Sequence, residues 1–205
     1  ETLKDGSFEC DERSLIQVDT ERNLFGKTNF GLNELTVIKK DTASMIQIET
    51  HINEEYLNTY WADGIVVATP TGSTAYSLSC GGPILFPGSE NVVITPIAPH
   101  NLNVRPVVVG NNSNISLRIN GRSDEFLIAL DSRSEIIYPN EEILITRSPF
   151  RLKLIKPEEH TLEHEPIAPK LKTIADPSML LSSINAFDSK YIDLVMDKDI
   201  VRMIM

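Results

Sequence analysis

The residues with the most chemical capacity fall in one run, Thr69-Pro-Thr-Gly-Ser-Thr-Ala-Tyr76. Thr71, Ser73 and Thr74 carry hydroxyls that both donate and accept hydrogen bonds, and Gly72, without a Cβ, lets the backbone approach a ligand closely. A helix that opens on such residues points free N–H groups outward, a place suited to polar or anionic ligands. Ser73 or Thr74 is expected to cap that helix, which should run from about Ser73 to Ser79. Taken alone, Thr-Gly-Ser-Thr is better explained as a turn that does nothing but cap. Two other places add directional chemistry. Asn33 can donate and accept hydrogen bonds through its carboxamide, and Glu34 beside it can accept from hydroxyls. Asp63-Gly64 offers a carboxylate, although Asp-Gly is also among the commonest turn pairs.

These groups need a scaffold, and the pattern around them is that of strands. Ile65-Val-Val-Ala68, bounded by Gly64 and Pro70, reads as a strand covered on both faces. Glu12–Asp19 suggests a first strand. Glu34–Lys40 and Ser44–Asn53 alternate polar with apolar residues and, with only Lys40-Asp-Thr42 between them, read as a hairpin with one buried face. Tyr56–Trp61, Val92–Ile97, Pro106–Val109, Ile115–Ile119, Glu125–Leu130, Ile143–Thr146 and Arg151–Ile155 are further strands, with Gly121-Arg-Ser-Asp124 as one of the turns. The fold class expected is mainly β: a multi-stranded antiparallel β-sandwich-like domain with one short central helix and a helical C-terminal tail. Residues 1–156 form that domain. Prolines 157, 166 and 169 mark 157–175 as a linker. Residues 176–205 form the tail, where Asp176-Pro177 opens a short helix and Asp188-Ser189 a second. His160 and His164 stand four apart, but two histidines without further ligands in a proline-broken segment read as a solvated loop, so no metal site is expected.

Composition narrows the class of partner. The chain has 205 residues, 41% of them hydrophobic, and a net charge of −10, which suits one sizeable core and opposes binding to nucleic acid or to an anionic membrane. Cys10 and Cys80 are the only cysteines, too few and too far apart for a disulfide framework, which points to a reducing, cytoplasmic setting. No apolar run is long enough to span a bilayer.

The longer string Thr69-Pro-Thr-Gly-Ser-Thr-Ala-Tyr-Ser-Leu-Ser-Cys-Gly-Gly-Pro83 resembles the signature of the NAD kinase family. Leu32-Asn-Glu34 and Thr95-Pro-Ile-Ala-Pro-His-Asn-Leu-Asn-Val-Arg-Pro106 agree in order and spacing. The resemblance covers roughly residues 8–156 and implies ATP-dependent phosphorylation of the 2′-hydroxyl of the adenosine ribose of NAD, giving NADP, with Mg²⁺ or another divalent cation. It implies NAD contacts at Asn33, Glu34, Ser44, Trp61, Asp63, Thr74, Ala75, Tyr76, Ser77, Ser79 and Arg133. Asp63 matches an acid that binds the nicotinamide end, often across a subunit boundary, and a homo-oligomer, dimer or tetramer, is implied with it. Two positions depart from the pattern. Trp61 replaces a common basic residue and can stack on a ring or sit in the core. Arg133 replaces a common glutamine and can reach a phosphate, or pair with Asp131 or Glu135. The family's Gly-Gly-Asp-Gly, whose aspartate is the catalytic base, occurs nowhere in these residues. The resemblance places that motif ahead of Glu1, so no catalytic residue is nominated. The alternative reading is a dinucleotide-binding or oligomerisation module without kinase activity.

Overall fold

Strands that alternate apolar with polar residues can bury only one face, and two such sheets must then cover each other. The computed structural model, which describes residues 8–40, 45–101 and 103–157, has this architecture. One sheet contains β1 (Phe8–Thr20), β2 (Phe30–Gly31), β4 (Ile46–Ile52), β5 (Glu55–Ala62), β9 (Ile115–Gly121) and β12 (Glu142–Pro157), in the order β2-β1-β12-β9-β4-β5. The other contains β3 (Glu34–Lys39), β6 (Gly64–Ala68), β7 (Asn91–Ile97), β8 (Val107–Gly110), β10 (Phe126–Leu130) and β11 (Arg133–Ile137), in the order β11-β10-β3-β6-β7-β8. The described residues divide into two compact units, residues 13–152 and a second to which residues 8–12 and 153–157 belong. In the terminal unit Lys156 pairs with Asp11 at 2.6 Å and Lys153 with Glu12 at 3.7 Å.

The core of the 13–152 unit lies between the sheets. Ile46 and Ile48 from β4 and Ile115, Leu117 and Ile119 from β9 meet Leu35 and Val37 from β3 and Phe126, Ile128 and Leu130 from β10. Burying each such side chain stabilises the fold by about 1.5–3 kcal/mol, so the remaining faces are free to carry polar groups. β6, with its neighbour β7, is the exception. Ile65 and Val67 enter this core, whereas Val66 and Ala68 point to the other side of the sheet and, with Val93, pack under Cys80, Leu85 and Ile97. Burial on both sides explains its unbroken apolar run. The chain between Pro70 and Leu85 is therefore the cover over the second sheet's outer face.

Two expectations are corrected. The hairpin joining 34–40 to 44–53 does not form: β3 pairs with β6 and β10, while β4 pairs with β5 and β9. Each segment does have one buried face, but the two faces supply the same core from opposite sheets. The helix expected from Ser73 to Ser79 is a 3₁₀ turn, Gly72–Thr74, and one α-turn, α1 (Tyr76–Ser79), separated by Ala75 at φ −98°, ψ −126°. Neither Ser73 nor Thr74 caps it. Ser73 Oγ donates to the Pro70 carbonyl at 2.7 Å and accepts from Leu85 N–H at 2.9 Å, tying both ends of the cover together. The strands expected elsewhere are present, except that Ile143–Thr146 and Arg151–Ile155 are one continuous strand, β12; β2 and β11 are additions. The linker beyond Pro157, the helical tail and the His160–His164 pair lie outside the described residues. Among the described residues no helix is long and apolar enough to cross a membrane.

Candidate functional site

Strand register brings three turns to one end of the second sheet. Glu34 opens β3 opposite Ala68, the last residue of β6, and Leu35 lies opposite Leu130, the last residue of β10. The turns at 32–34, 69–76 and 131–133 consequently meet. Asp131 joins the first to the third. Its Oδ2 accepts from Leu32 N–H at 2.9 Å and its Oδ1 from Asn33 and Glu34 N–H at 2.8 and 3.2 Å, while its own N–H donates to the Glu34 carbonyl at 3.0 Å. The residue takes a left-handed backbone, φ 50°, which aspartate tolerates better than most side chains. Thr69 joins the first turn to the second: its N–H donates to the Asn33 carbonyl at 2.9 Å and its hydroxyl donates to the Leu32 carbonyl at 2.5 Å. The same hydroxyl accepts from Gly72 N–H at 3.2 Å. A Cβ at Gly72 would stand 2.2 Å from the Asn33 carbonyl oxygen, so the close approach expected of this glycine is made to the protein's own backbone.

Glu34 is the electrostatic outlier at this junction. Burial, reinforced by the negative charge of Asp131, pushes its carboxyl from the usual 4.5 up to about 7. Its Oε2 is shielded from solvent and has no hydrogen-bond partner. A carboxyl poised near neutrality can accept from a hydroxyl when ionised and donate when protonated. Asn33 beside it is half-buried.

At the opposite end of β6 stands Asp63, whose backbone is fixed by Lys39 N–H to Asp63 O and Asp63 N–H to Ile97 O, both at 2.9 Å. Its Oδ1 takes a 2.5 Å contact from Lys39 Nζ, and about a third of the side chain stays exposed. Tyr76 reaches toward it from α1. Burial, the hydrogen-bonded neighbour Cys80 and the charge of Asp63 all raise the Tyr76 phenol; the Cys80 thiol is raised by burial against the opposing hydrogen bond from Tyr76. The cover thus carries its residues from the Asn33–Glu34 turn back along β6 to Asp63, and Thr74 and Tyr76 are exposed along that path. Neither the pairing of Lys39 with Asp63 nor the grip of Asp131 was anticipated from the sequence. Both depend on strand pairing across long separations and leave no local signal.

The remaining candidates fall in different surroundings. Ser77 is fully buried, its Oγ 2.9 Å from Thr95 Oγ1, which pins α1 to β7. Ser79 faces solvent. Trp61, next to last in the edge strand β5, is 47% exposed, so it is not core. Arg133 donates to the Thr28 carbonyl and, at 2.6 Å, to the Phe30 carbonyl, with its guanidinium 6.0 Å from the centre of the Phe25 ring; burial lowers its proton affinity, opposed by Asp131. Ser44 lies outside the described residues. Among those residues no group of three or more His, Cys, Asp or Glu side chains is placed to hold a metal ion.

Residues 32–157 match the model of the ATP-NAD kinase C-terminal domain. An NAD kinase of Cytophaga hutchinsonii is 50% identical over 154 residues, covering 75% of this chain and 53% of the relative; one of Flavobacterium psychrophilum is 56% identical over 134 residues, covering 65% and 45%. The chain therefore spans about half the length of the curated relatives it matches. A crystal structure of an Archaeoglobus fulgidus NAD kinase in complex with ATP superposes with TM-score 0.62 at 26% identity, over 74% of this chain and 57% of the other. The fold is also that of a yeast NADH kinase crystallised with NADH, TM-score 0.66 at 23% identity, over 92% of this chain and 52% of the other. With a family model matched over more than half its length, on the very turns that Asp131 and Thr69 draw together, the chain belongs to the NAD kinase family through its C-terminal domain.

Proposed function

We propose that this chain forms the dinucleotide-binding half of an NAD kinase, an enzyme that moves a phosphoryl group from ATP to the 2′-hydroxyl of the adenosine ribose of NAD and yields NADP. The observation that carries the reading is the Glu34 carboxyl, which has an unpartnered, shielded oxygen where the three turns meet. Leaving a buried acceptor without a partner costs about 1–3 kcal/mol, and a ribose hydroxyl is a donor of the right kind to relieve it. In this reading Asn33 and Glu34 hold adenosine, Thr74, Ala75 and Tyr76 line the path beside it, and Asp63 meets the nicotinamide end. Phosphoryl transfer sets two requirements: an acceptor hydroxyl held in place, and charge neutralised on the moving group. The residues described here serve the first. ATP supplies the phosphoryl group in the complete kinase. The described residues, with no cluster of three or more His, Cys, Asp or Glu side chains, do not by themselves fit a divalent cation. The complete enzyme is cytoplasmic and a homo-oligomer in this reading, with support from the exposed Trp61 and Tyr56 on the edge strand β5.

Isothermal titration of the chain with NAD, beside Asn33→Ala, tests the reading. The parent should bind, and loss of the carboxamide should weaken binding by about tenfold, the equivalent of about 1.4 kcal/mol. Equal affinity in the two proteins removes Asn33 from the site. A parent that binds neither NAD nor NADP overturns the proposal. Sedimentation of the same sample as a 22.9 kDa monomer only would remove the oligomer.

A further inference from the structure

We propose that Asp131, which none of the dinucleotide contacts includes, is a positioning residue for the ligand: its carboxylate gathers the amides of Leu32, Asn33 and Glu34 and so fixes the backbone that carries the two adenosine-binding side chains. The inference rests on the reading of the site as a dinucleotide site.

Three successive backbone N–H groups directed at one carboxylate form a small anion cradle, occupied here by the protein's own side chain. Carboxylate acceptors make the stronger class of hydrogen bond, roughly twice the strength of a neutral pair. The return bond from Asp131 N–H to the Glu34 carbonyl closes the loop, so the 32–34 turn is held on both its donor and acceptor sides. The turn has little else to fix it: β2 before it is two residues long, and Thr69 binds only the carbonyls of Leu32 and Asn33. The left-handed backbone at Asp131 belongs to the same device, because it turns the chain at the end of β10 where the carboxylate meets the three amides.

Asp131 also acts on Glu34 through charge. It is the charged group whose field reaches the Glu34 carboxyl. Arg133, the other charged residue of that turn, spends its guanidinium on the carbonyls of Thr28 and Phe30. The elements that meet Glu34 otherwise bring neutral side chains, Ala68 and Thr69 from the end of β6 and Leu130 from the end of β10. Asp131 therefore fixes where Glu34 stands and adds, after burial, to the rise of its carboxyl.

The test uses the full chain and Asp131→Asn, which keeps the shape, removes the charge and turns part of the acceptor into a donor. NAD affinity is measured by titration calorimetry from pH 5.5 to 8.5. The variant should bind NAD at least about fivefold more weakly at pH 8, and the midpoint of its pH profile should lie lower than the parent's, because a like charge beside Glu34 is gone. Unchanged affinity overturns the proposal; so does weaker binding with the midpoint unmoved, which would mark Asp131 as structural only. Should the parent fail to bind NAD, the functional reading falls separately, and ¹³C NMR of the Glu34 carboxyl in the two proteins decides: an unshifted midpoint overturns the role of Asp131. Should Asp131→Asn fail to fold, the parent alone suffices. The amide protons of Leu32, Asn33 and Glu34 should exchange slowly and titrate together with one carboxylate, and three independent titrations would overturn the cradle.

Discussion

Glu34→Gln isolates the energetic cost of the site, because the exchange keeps the size of the side chain and removes its titration. In the folded chain the Glu34 carboxyl is pushed up from 4.5 to about 7, first by burial and second by Asp131. The folded state therefore retains a proton that the unfolded chain releases. For a raised acid the stabilising contribution is complete below the unfolded value, near 4.5, and is lost as pH rises through about 7. The difference between those values, at about 1.4 kcal/mol per pH unit, sets a ceiling of about 3 kcal/mol. Partial exposure and local relaxation reduce this to about 1–2 kcal/mol. Urea unfolding of both proteins from pH 4.5 to 8.5 reads the effect. The parent should lose about 1–2 kcal/mol more than Glu34→Gln across that range. Parallel stability curves would refute the reasoning, since they would mean that Glu34 ionises in the folded chain as it does in the unfolded one.

Gly72→Ala should destabilise the chain by about 1–3 kcal/mol and weaken NAD binding, because the added Cβ would stand 2.2 Å and 2.5 Å from the Asn33 carbonyl oxygen and carbon, backbone atoms with little room to give; a thermal transition at the parent's temperature would count against that packing. Ser77→Ala should cost about 1–3 kcal/mol by leaving the buried Thr95 hydroxyl without its partner, yet change NAD affinity little. A large loss of affinity with parental stability in urea would instead make Ser77 a ligand contact.

What the sequence revealed and what it concealed divide along the range of the interactions. Alternation in Ile46–Ile52 and the apolar run at Ile65–Ala68 report burial locally, and both were legible as strands. Alternation does not say which sheet a strand joins, so β3 and β4, adjacent in the chain and each buried on one face, read as a hairpin although they lie in opposite sheets. β11 was missed because Ser134 and Glu135 interrupt any apolar pattern at a sheet edge. The residues of the 69–76 turn were legible as a chemical unit. Their division of labour was not: Thr69, rather than Ser73 or Thr74, supplies the hydroxyl that closes the 3₁₀ turn, a choice decided by Ser73 being drawn to Leu85. Asp131 carried no signal of its grip, since its partners lie at the far end of a strand pairing between Leu35 and Leu130.

That pairing also orders events during synthesis. β3 gains β6 soon after both have emerged, but its other neighbour, β10, arrives only when most of the domain has been made. Until then the amides of Leu32, Asn33 and Glu34 have no carboxylate to meet, and closing so long a loop is slow and entropically costly. A nascent chain stopped before Phe126 would carry the whole Thr69–Tyr76 signature and still lack the grip that sets Asn33 and Glu34 in place. On the proposed reading, competence to hold a dinucleotide is thus acquired near the end of synthesis rather than accumulated along it, and a ligand that requires the assembled turns stabilises the finished domain without guiding its formation.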